Sequence, residues 1–382
     1  MLIETDKFGE KKEGRFLYFF SLFFATRITL IFIGVVSKTL LAPLWKDHYV
    51  WQYSKHRWLD IWGVWDTGYY LDIAMRGYSK IQSTQPSTFN QANYGFFPLY
   101  PLVIRGLNTV IGDVYISALI VSNLFFLALT FVFYKLVRLK FNEKTAVDAV
   151  LFLYLFPTAF ILSGAFSESL FLFLLVLTFY YAEKEIWWAA GIAGFFLSLT
   201  RSLGIVAALP LCIVFFQKRR GGKSLLNLLW LGFLPAGVLA YSWYCYHLTG
   251  DFFAYSHVQA AGWGYHLSNP LHVLYKGLTA RDFYFRVNGL FALVSVLLVV
   301  ASLPKVGLAY WLLGMGLILI PLSSGYVFLQ SISRYLLPVF PLYIFLAGVT
   351  SQPRARDLVL IVLALLQGFY MVFWCNGFRL VV

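Results

Sequence analysis

Three aspartates stand in one aromatic stretch, LDIWGVWDTGYYLDIAMRGYS at 59–79. A carboxylate can take a proton, pair with a cation or cap a helix, and its surroundings decide which. If the stretch from Trp65 is a helix ending at Gly77, Asp72 and Arg76 lie four apart on one face and pair, which makes Asp72 a structural residue. Asp66 has no such partner. At about 100° per residue it lies roughly 240° around the axis from both Asp60 and Asp72, so the three form no cluster on a single helix. Its neighbours four residues away on either side are Trp62 and Tyr70. Between such rings at a water boundary, partial loss of solvent favours proton uptake, and Asp66 reads as a candidate proton acceptor. Standing before Thr67-Gly68 it also suits a helix N-cap, and the two roles are compatible. Asp60 reads as peripheral.

The elements that must hold these residues are set by composition. With 60% apolar and 12% charged residues over 382 positions, the chain has too little polar surface to coat a water-soluble globule. It reads as an all-α polytopic membrane protein, and the 20% aromatic content suits many crossings of the headgroup level. A net charge of +13 is then the Lys/Arg excess of loops facing anionic lipid, and no nucleic-acid partner is implied. The basic start (Lys7, Lys11, Lys12, Arg15) precedes an apolar run too long for a signal peptide, which reads as an uncleaved first span. Cys212, Cys245 and Cys375 lie inside apolar runs and read as packing residues.

Apolar runs near 16–41, 114–134, 146–162, 167–182, 187–200, 203–217, 224–247, 287–303, 306–322, 334–350 and 357–376 give about eleven spans in one membrane domain, 1–382. The pair 187–200 and 203–217 is either one broken span or two half-buried helices. From a cytoplasmic N-terminus, the connections with Lys135–Lys144, Lys184, Lys218–Lys223, Lys305 and Arg354–Arg356 all fall inside. The outer face then receives a first loop, 42–113, with short helices; a second loop, 248–286; and the segments SGAFSES, TRS and SSGYVFLQSISRY. Polar groups from distant segments meet at one surface, as an active site requires.

WDTGYYLDIAMRGYS, NYGFFPLYPLVIR, FPTAFILSGAFSESLFLFLL, LSLTRSLGIV and ISRYLLPVFPLYIFLA, in that order, resemble the PIG-V/Gpi18-type mannosyltransferases, glycosyltransferases of the GT-C fold. The resemblance implies transfer of mannose from a polyprenyl (dolichyl-type) phosphate sugar to a lipid-linked or other extracytoplasmic glycan. In GT-C enzymes the first outer loop carries the acidic base, and Asp66 matches that position. The implied chemistry is an inverting displacement in which an acceptor hydroxyl loses its proton to Asp66 and the lipid phosphate departs.

Cations should then flank that phosphate. Arg201 of TRS and Arg334 of SRY fall at outer ends of spans, where each either grips phosphate oxygens in bidentate fashion or snorkels or neutralises an internal carboxylate. Glu168, between Ser167 and Ser169, is a pocket candidate or a charge favoured at a helix N-terminus. Trp65, Tyr70 and Tyr335 adjoin these charges and complete the candidate pocket. Tyr94 and Tyr100 either line a sugar or lipid site or pack, while Phe96, Phe97, Pro98 and Pro101 shape the return of the chain into the membrane.

No metal or other cofactor is implied: outer loops hold no D-x-D, the chain has no H-E-x-x-H, and His247, His257, His266 and His272 lack ligand spacing. A transporter or lipid flippase is the alternative class, though midplane charges and repeated halves are not visible. A membrane glycosidase would need two carboxylates, with Asp66 and Glu168 as the obvious pair. The active face is extracytoplasmic, at the plasma membrane of a prokaryote or the endoplasmic reticulum of a eukaryote. The lack of an N-x-S/T sequon favours the former.

Overall fold

The basic start runs straight into α1 (Lys12–Leu41), whose outer side chains Phe16, Phe24, Ile28 and Phe32 are exposed as lipid-facing residues are. The structure, a computed structural model, describes residues 12–41, 51–85, 88–219 and 224–381, and among these every regular element is helical. After α1 come the short helices α2 (Arg57–Asp60) and α3 (Thr67–Arg76), a 3-10 turn at Asn93–Gly95, and α4 (Leu99–Ile111). Pro98 and Pro101 stand at the cap and first turn of α4, where a missing N–H costs no helical bond. Gly77 ends α3 at φ +83°, a conformation that only glycine adopts freely.

Two helices side by side and parallel, α5 (Val114–Lys140) and α7 (Glu168–Glu183), form the centre, with α6 (Glu143–Leu155) and a 3-10 turn at Ala159–Ser163 between them in sequence. Asp113 caps α5 by accepting from Ile116 N, and Arg138 and Lys140 close it at the negative end of its dipole. Next, α8 (Trp187–Thr200) leads through a 3-10 turn, Ser202–Ala207, into α9 (Ala208–Lys218). The doubtful pair is therefore two helices hinged at Arg201, which is extended at φ −156°, ψ 141°. A further 3-10 turn, Leu225–Gly232, runs into α10 (Phe233–Thr249). The second outer loop holds α11 (Ala254–Trp263) and α12 (Pro270–Leu278). The remainder comprises α13 (Phe283–Val306), α14 (Leu308–Leu322), a 3-10 turn at Tyr326–Ser331, α15 (Ile332–Tyr335), α16 (Phe340–Val349) and α17 (Pro353–Cys375).

Among the described residues, five helices qualify as membrane crossings by length and apolarity: Gly14–Leu41, Val114–Lys140, Leu225–Thr249, Phe283–Val306 and Pro353–Cys375. A sixth arises if Tyr326–Tyr335 and Phe340–Val349, bent by 60°, count as one span. The rest of the expected eleven fall on shorter elements such as α8, α9 and α14, broken at polar or 3-10 segments. Lipid gives little drive for helices to associate, so close contact between backbones matters. A Cβ on Gly191 of α8 would collide with the Trp230 carbonyl oxygen, and one on Gly237 of α10 would stand 2.5 Å from that of Phe195.

The two ends of the bundle differ in chemistry. At one, buried Glu183 holds Lys140 at 2.9 Å and Lys218 at 2.8 Å and accepts from the Tyr310 hydroxyl, tying α5, α7, α9 and α14 together. Asp148 and Arg356 pair at the same end at 3.3 Å. The other end carries the start of α3, the start of α7, the hinge at Arg201 and α15.

Candidate active site

Asp66 occupies the cap position of α3 and its backbone carbonyl accepts from Tyr69 N, yet its side chain makes no capping bond. The carboxylate points instead to Arg334, whose Nη1 donates to Oδ2 at 2.7 Å. The preceding Trp65 has φ +47°, a left-handed conformation costly for a tryptophan. That strained peptide turns the Asp66 side chain away from its own helix.

The loop before α7 supports α3 from below. Ala165 N donates to the Trp62 carbonyl at 3.0 Å, and Tyr70 shares a 2.9 Å hydrogen bond with Ser167. At the other end of α3, Arg105 donates to the Ala74 carbonyl at 2.7 Å. These contacts fix the helix that carries Asp66.

Glu168, the first residue of α7, is 1% exposed and is the hub of the cluster. Its Oε1 accepts from Arg201 Nη1 at 2.5 Å and faces Arg334 Nε at 3.4 Å, while Oε2 is buried with no hydrogen-bond partner. Tyr335 lies against both guanidiniums, 5.0 Å from Arg201 and 5.4 Å from Arg334 to the ring centre, and its hydroxyl meets that of Tyr265 at 3.3 Å. Two carboxylates and two guanidiniums, drawn from four distant segments, thus make a neutral set.

A cavity of about 420 Å³ opens on this cluster, within the range usual for small-molecule sites. Asp66, Tyr70, Arg201, Arg334 and Tyr335 line its charged wall. One arm runs between Leu203, Ile205 and Val206 and the end of α14 at Ile320 and Pro321, and is apolar. The other lies under the outer loops, where Phe96, Gln259 and Trp263 line it. There Phe96 stacks on Tyr69 at 4.7 Å and Gln259 donates to the Gly95 carbonyl. Burial, then the Asp66 charge, pushes the phenols of Tyr53 and Tyr69 up to about 12, so both stay neutral near pH 7.

Other candidates lie elsewhere. Tyr94 is buried with its hydroxyl accepting from Gln82, and Tyr100 is buried with its hydroxyl on Ser122. Both pack, and neither lines this cavity. Trp65 rests on Trp51 behind the cavity wall, and Glu168 sits behind the arginines. Asp60 is not peripheral: it is 4% exposed, accepts from Tyr53 N and Ser54 N, and pairs with Lys38, which fastens the first loop to α1. Asp72 meets Arg76 only at 3.6 Å on an exposed face and is held more closely by Asn93 Nδ2 at 2.9 Å. Arg201 and Arg334 pair with internal carboxylates, the second of the two roles open to them in the sequence. Sequence reasoning passed over Trp263, Gln259 and Tyr265; aromatic and amide residues in a loop expected on the same face were the available signal.

A family model described as "Mannosyltransferase (PIG-V)" matches residues 15–228, more than half of the chain and including Asp66, Glu168 and Arg201. The chain belongs to the PIG-V mannosyltransferase family. It is therefore a glycosyltransferase enzyme. No curated protein sequence matches it significantly. Among solved structures, ArnT from Cupriavidus metallidurans, crystallised with undecaprenyl phosphate, is similar with a TM-score of 0.56 at 12% identity, over 95% of this chain and 76% of that one. The PIG-V chain thus shares the GT-C fold of ArnT. The Archaeoglobus fulgidus oligosaccharyltransferase, in complex with Zn and sulfate, aligns at a TM-score of 0.44 and 15% identity over 94% of this chain, which spans about half of that protein (53%).

Proposed function

We propose that this PIG-V family enzyme transfers mannose from a polyprenyl-phosphate sugar to a hydroxyl of a lipid-linked or other extracytoplasmic glycan, with inversion and with Asp66 as base. The observation that carries the reading is the Asp66–Arg334–Glu168–Arg201 cluster on the wall of a cavity with one apolar and one aromatic arm. In the step, the acceptor oxygen bonds to the anomeric carbon as the bond from that carbon to the phosphate oxygen breaks. The hydroxyl proton passes to Asp66, and the electron pair leaves with the lipid phosphate. Arg334 and Arg201 stabilise the charge that the phosphate gains.

The apolar arm suits the prenyl chain, and Ile205 and Ile320 on it are exposed to the lipid side. ArnT, of the same fold, holds undecaprenyl phosphate, which supports a lipid phosphate here. The aromatic arm has ring faces for a sugar and the amide of Gln259 for its hydroxyls, and no charged side chain lines it among the described residues. Glu168 is buried behind the two arginines and does not line the cavity, which disfavours it as the second carboxylate of a glycosidase. The Lys140, Lys218 and Arg356 end faces the cytoplasm, the cluster faces outward, and the chain crosses about eleven times, its shorter helices included.

Purified enzyme in nanodiscs, given a glycolipid extract as acceptor, should consume polyprenyl-phosphate mannose and release polyprenyl phosphate, read by mass spectrometry. Consumption of nucleotide-activated mannose alone would overturn the donor assignment.

A further inference from the structure

We propose that Arg334 is handed from Asp66 to the donor phosphate, so that the resting enzyme keeps its base engaged and frees it only in the donor complex. The inference rests on the donor reading above and adds a binding order, donor before acceptor.

The geometry sets a competition. Arg334 is nearly buried, with 7% of its side chain exposed, and Asp66 retains 16%. The Nη1 group of Arg334 is spent on Asp66 at 2.7 Å, on the side of the guanidinium that shares the cavity wall with Asp66. Its Nε lies on the other side, 3.4 Å from Glu168, and makes no hydrogen bond of its own. A guanidinium has a fixed fork of donors, so an arriving phosphate competes with the Asp66 carboxylate for the cavity-facing ones.

Charge points the same way. The cluster of two carboxylates and two guanidiniums is already neutral, and a phosphate adds a further anion to a site with little water. Keeping Asp66 on Arg334 would leave that anion uncompensated, which a buried site tolerates poorly. Releasing Asp66 toward its more exposed side costs least, because Glu168 retains both arginines through a single oxygen, Oε1. Glu168 is then the positioning residue of the exchange: it anchors Arg201 and Arg334 whichever anion occupies their outer faces. The freed Asp66 oxygen, relieved of an N–H donor, can accept the hydrogen bond of an incoming hydroxyl. Until then, an acceptor or a water molecule meets a carboxylate whose Oδ2 is occupied.

The consequence runs against intuition for a catalytic residue. Removing the Asp66 charge should tighten lipid phosphate binding while abolishing transfer. The test is the affinity of detergent-purified protein for polyprenyl phosphate in four forms: wild type, Asp66→Asn, Arg334→Gln and the double variant. Asp66→Asn should bind roughly tenfold more tightly than wild type, the scale of one charge-assisted hydrogen bond no longer competed for. Asp66→Ser, small and uncharged, carries the same expectation and guards against a misfit peculiar to asparagine. In the Arg334→Gln background, Asp66→Asn should leave the affinity unchanged. Equal or weaker binding by both single Asp66 variants overturns the exchange, and so does a gain of the same size without Arg334, which would mean through-space repulsion only. Failure of the wild type to bind polyprenyl phosphate, or undiminished binding by Arg334→Gln, would instead bring down the donor reading itself.

Discussion

Asp66 and Arg334 are 268 residues apart in sequence and 2.7 Å apart in space, and the chemistry of the site turns on what each does for the other. Arg334→Lys retains the charge but replaces a planar fork with a point donor. Donor KM should rise roughly tenfold through loss of two-point phosphate contact, with acceptor KM little changed. Equal loss for both substrates, measured by steady-state kinetics, would reduce Arg334 to a scaffold role. Each member of the cluster was visible in the sequence, Asp66 as a carboxylate among aromatic residues of the first outer loop, and Glu168, Arg201 and Arg334 as charges at the ends of apolar runs, where such charges are expensive. Their pairing was not visible. Helical periodicity sees neighbours four residues away, which is why Asp72 was matched to Arg76 and its closer partner Asn93, across a turn of the loop, escaped notice.

At the scale of elements, the site depends on how tightly the segment before α3 sits on the loop before α7. Gly164 lies at that seam: a Cβ there would come within 3.1 Å of the Trp62 carbonyl oxygen and 3.3 Å of that of Ile161. Gly164→Ala should push the Asp66 segment off the Glu168 loop by a few tenths of an ångström and lower kcat about tenfold, since small misplacements near reacting groups are costly. Gly106→Ala, in α4 with open space around it, serves as control and should leave kcat unchanged. A Gly164→Ala enzyme of normal kcat would show that the seam does not set the geometry. The end of α3 at Gly77 and the break at Arg201 were legible because glycine and a polar triplet interrupt their runs. The strain at Trp65 was not, since no local rule places a tryptophan at positive φ.

On the scale of the whole molecule, one end gathers lysines and arginines around Glu183 and Asp148, and the other gathers the cavity and its cluster. The sequence exposed this polarity through its basic loops, whereas the span count blurred because several helices are shorter than a bilayer and continue as 3-10 turns. Cysteines introduced as Thr84→Cys and Leu267→Cys, both at exposed positions, should react with an impermeant maleimide from outside intact cells, and Lys184→Cys should not. The reverse pattern would place the site in the cytoplasm. The central claim, that the cluster is the reaction centre of a lipid-phosphate-dependent mannosyltransferase, is tested most directly by turnover of polyprenyl-phosphate mannose by purified Asp66→Asn beside wild type. That substitution preserves size and leaves Arg334 paired with Glu168, so thermal stability should stay near wild type while mannose transfer falls at least about a hundredfold, the usual contribution of a general base. An Asp66→Asn enzyme that transfers mannose at the wild-type rate would contradict the account.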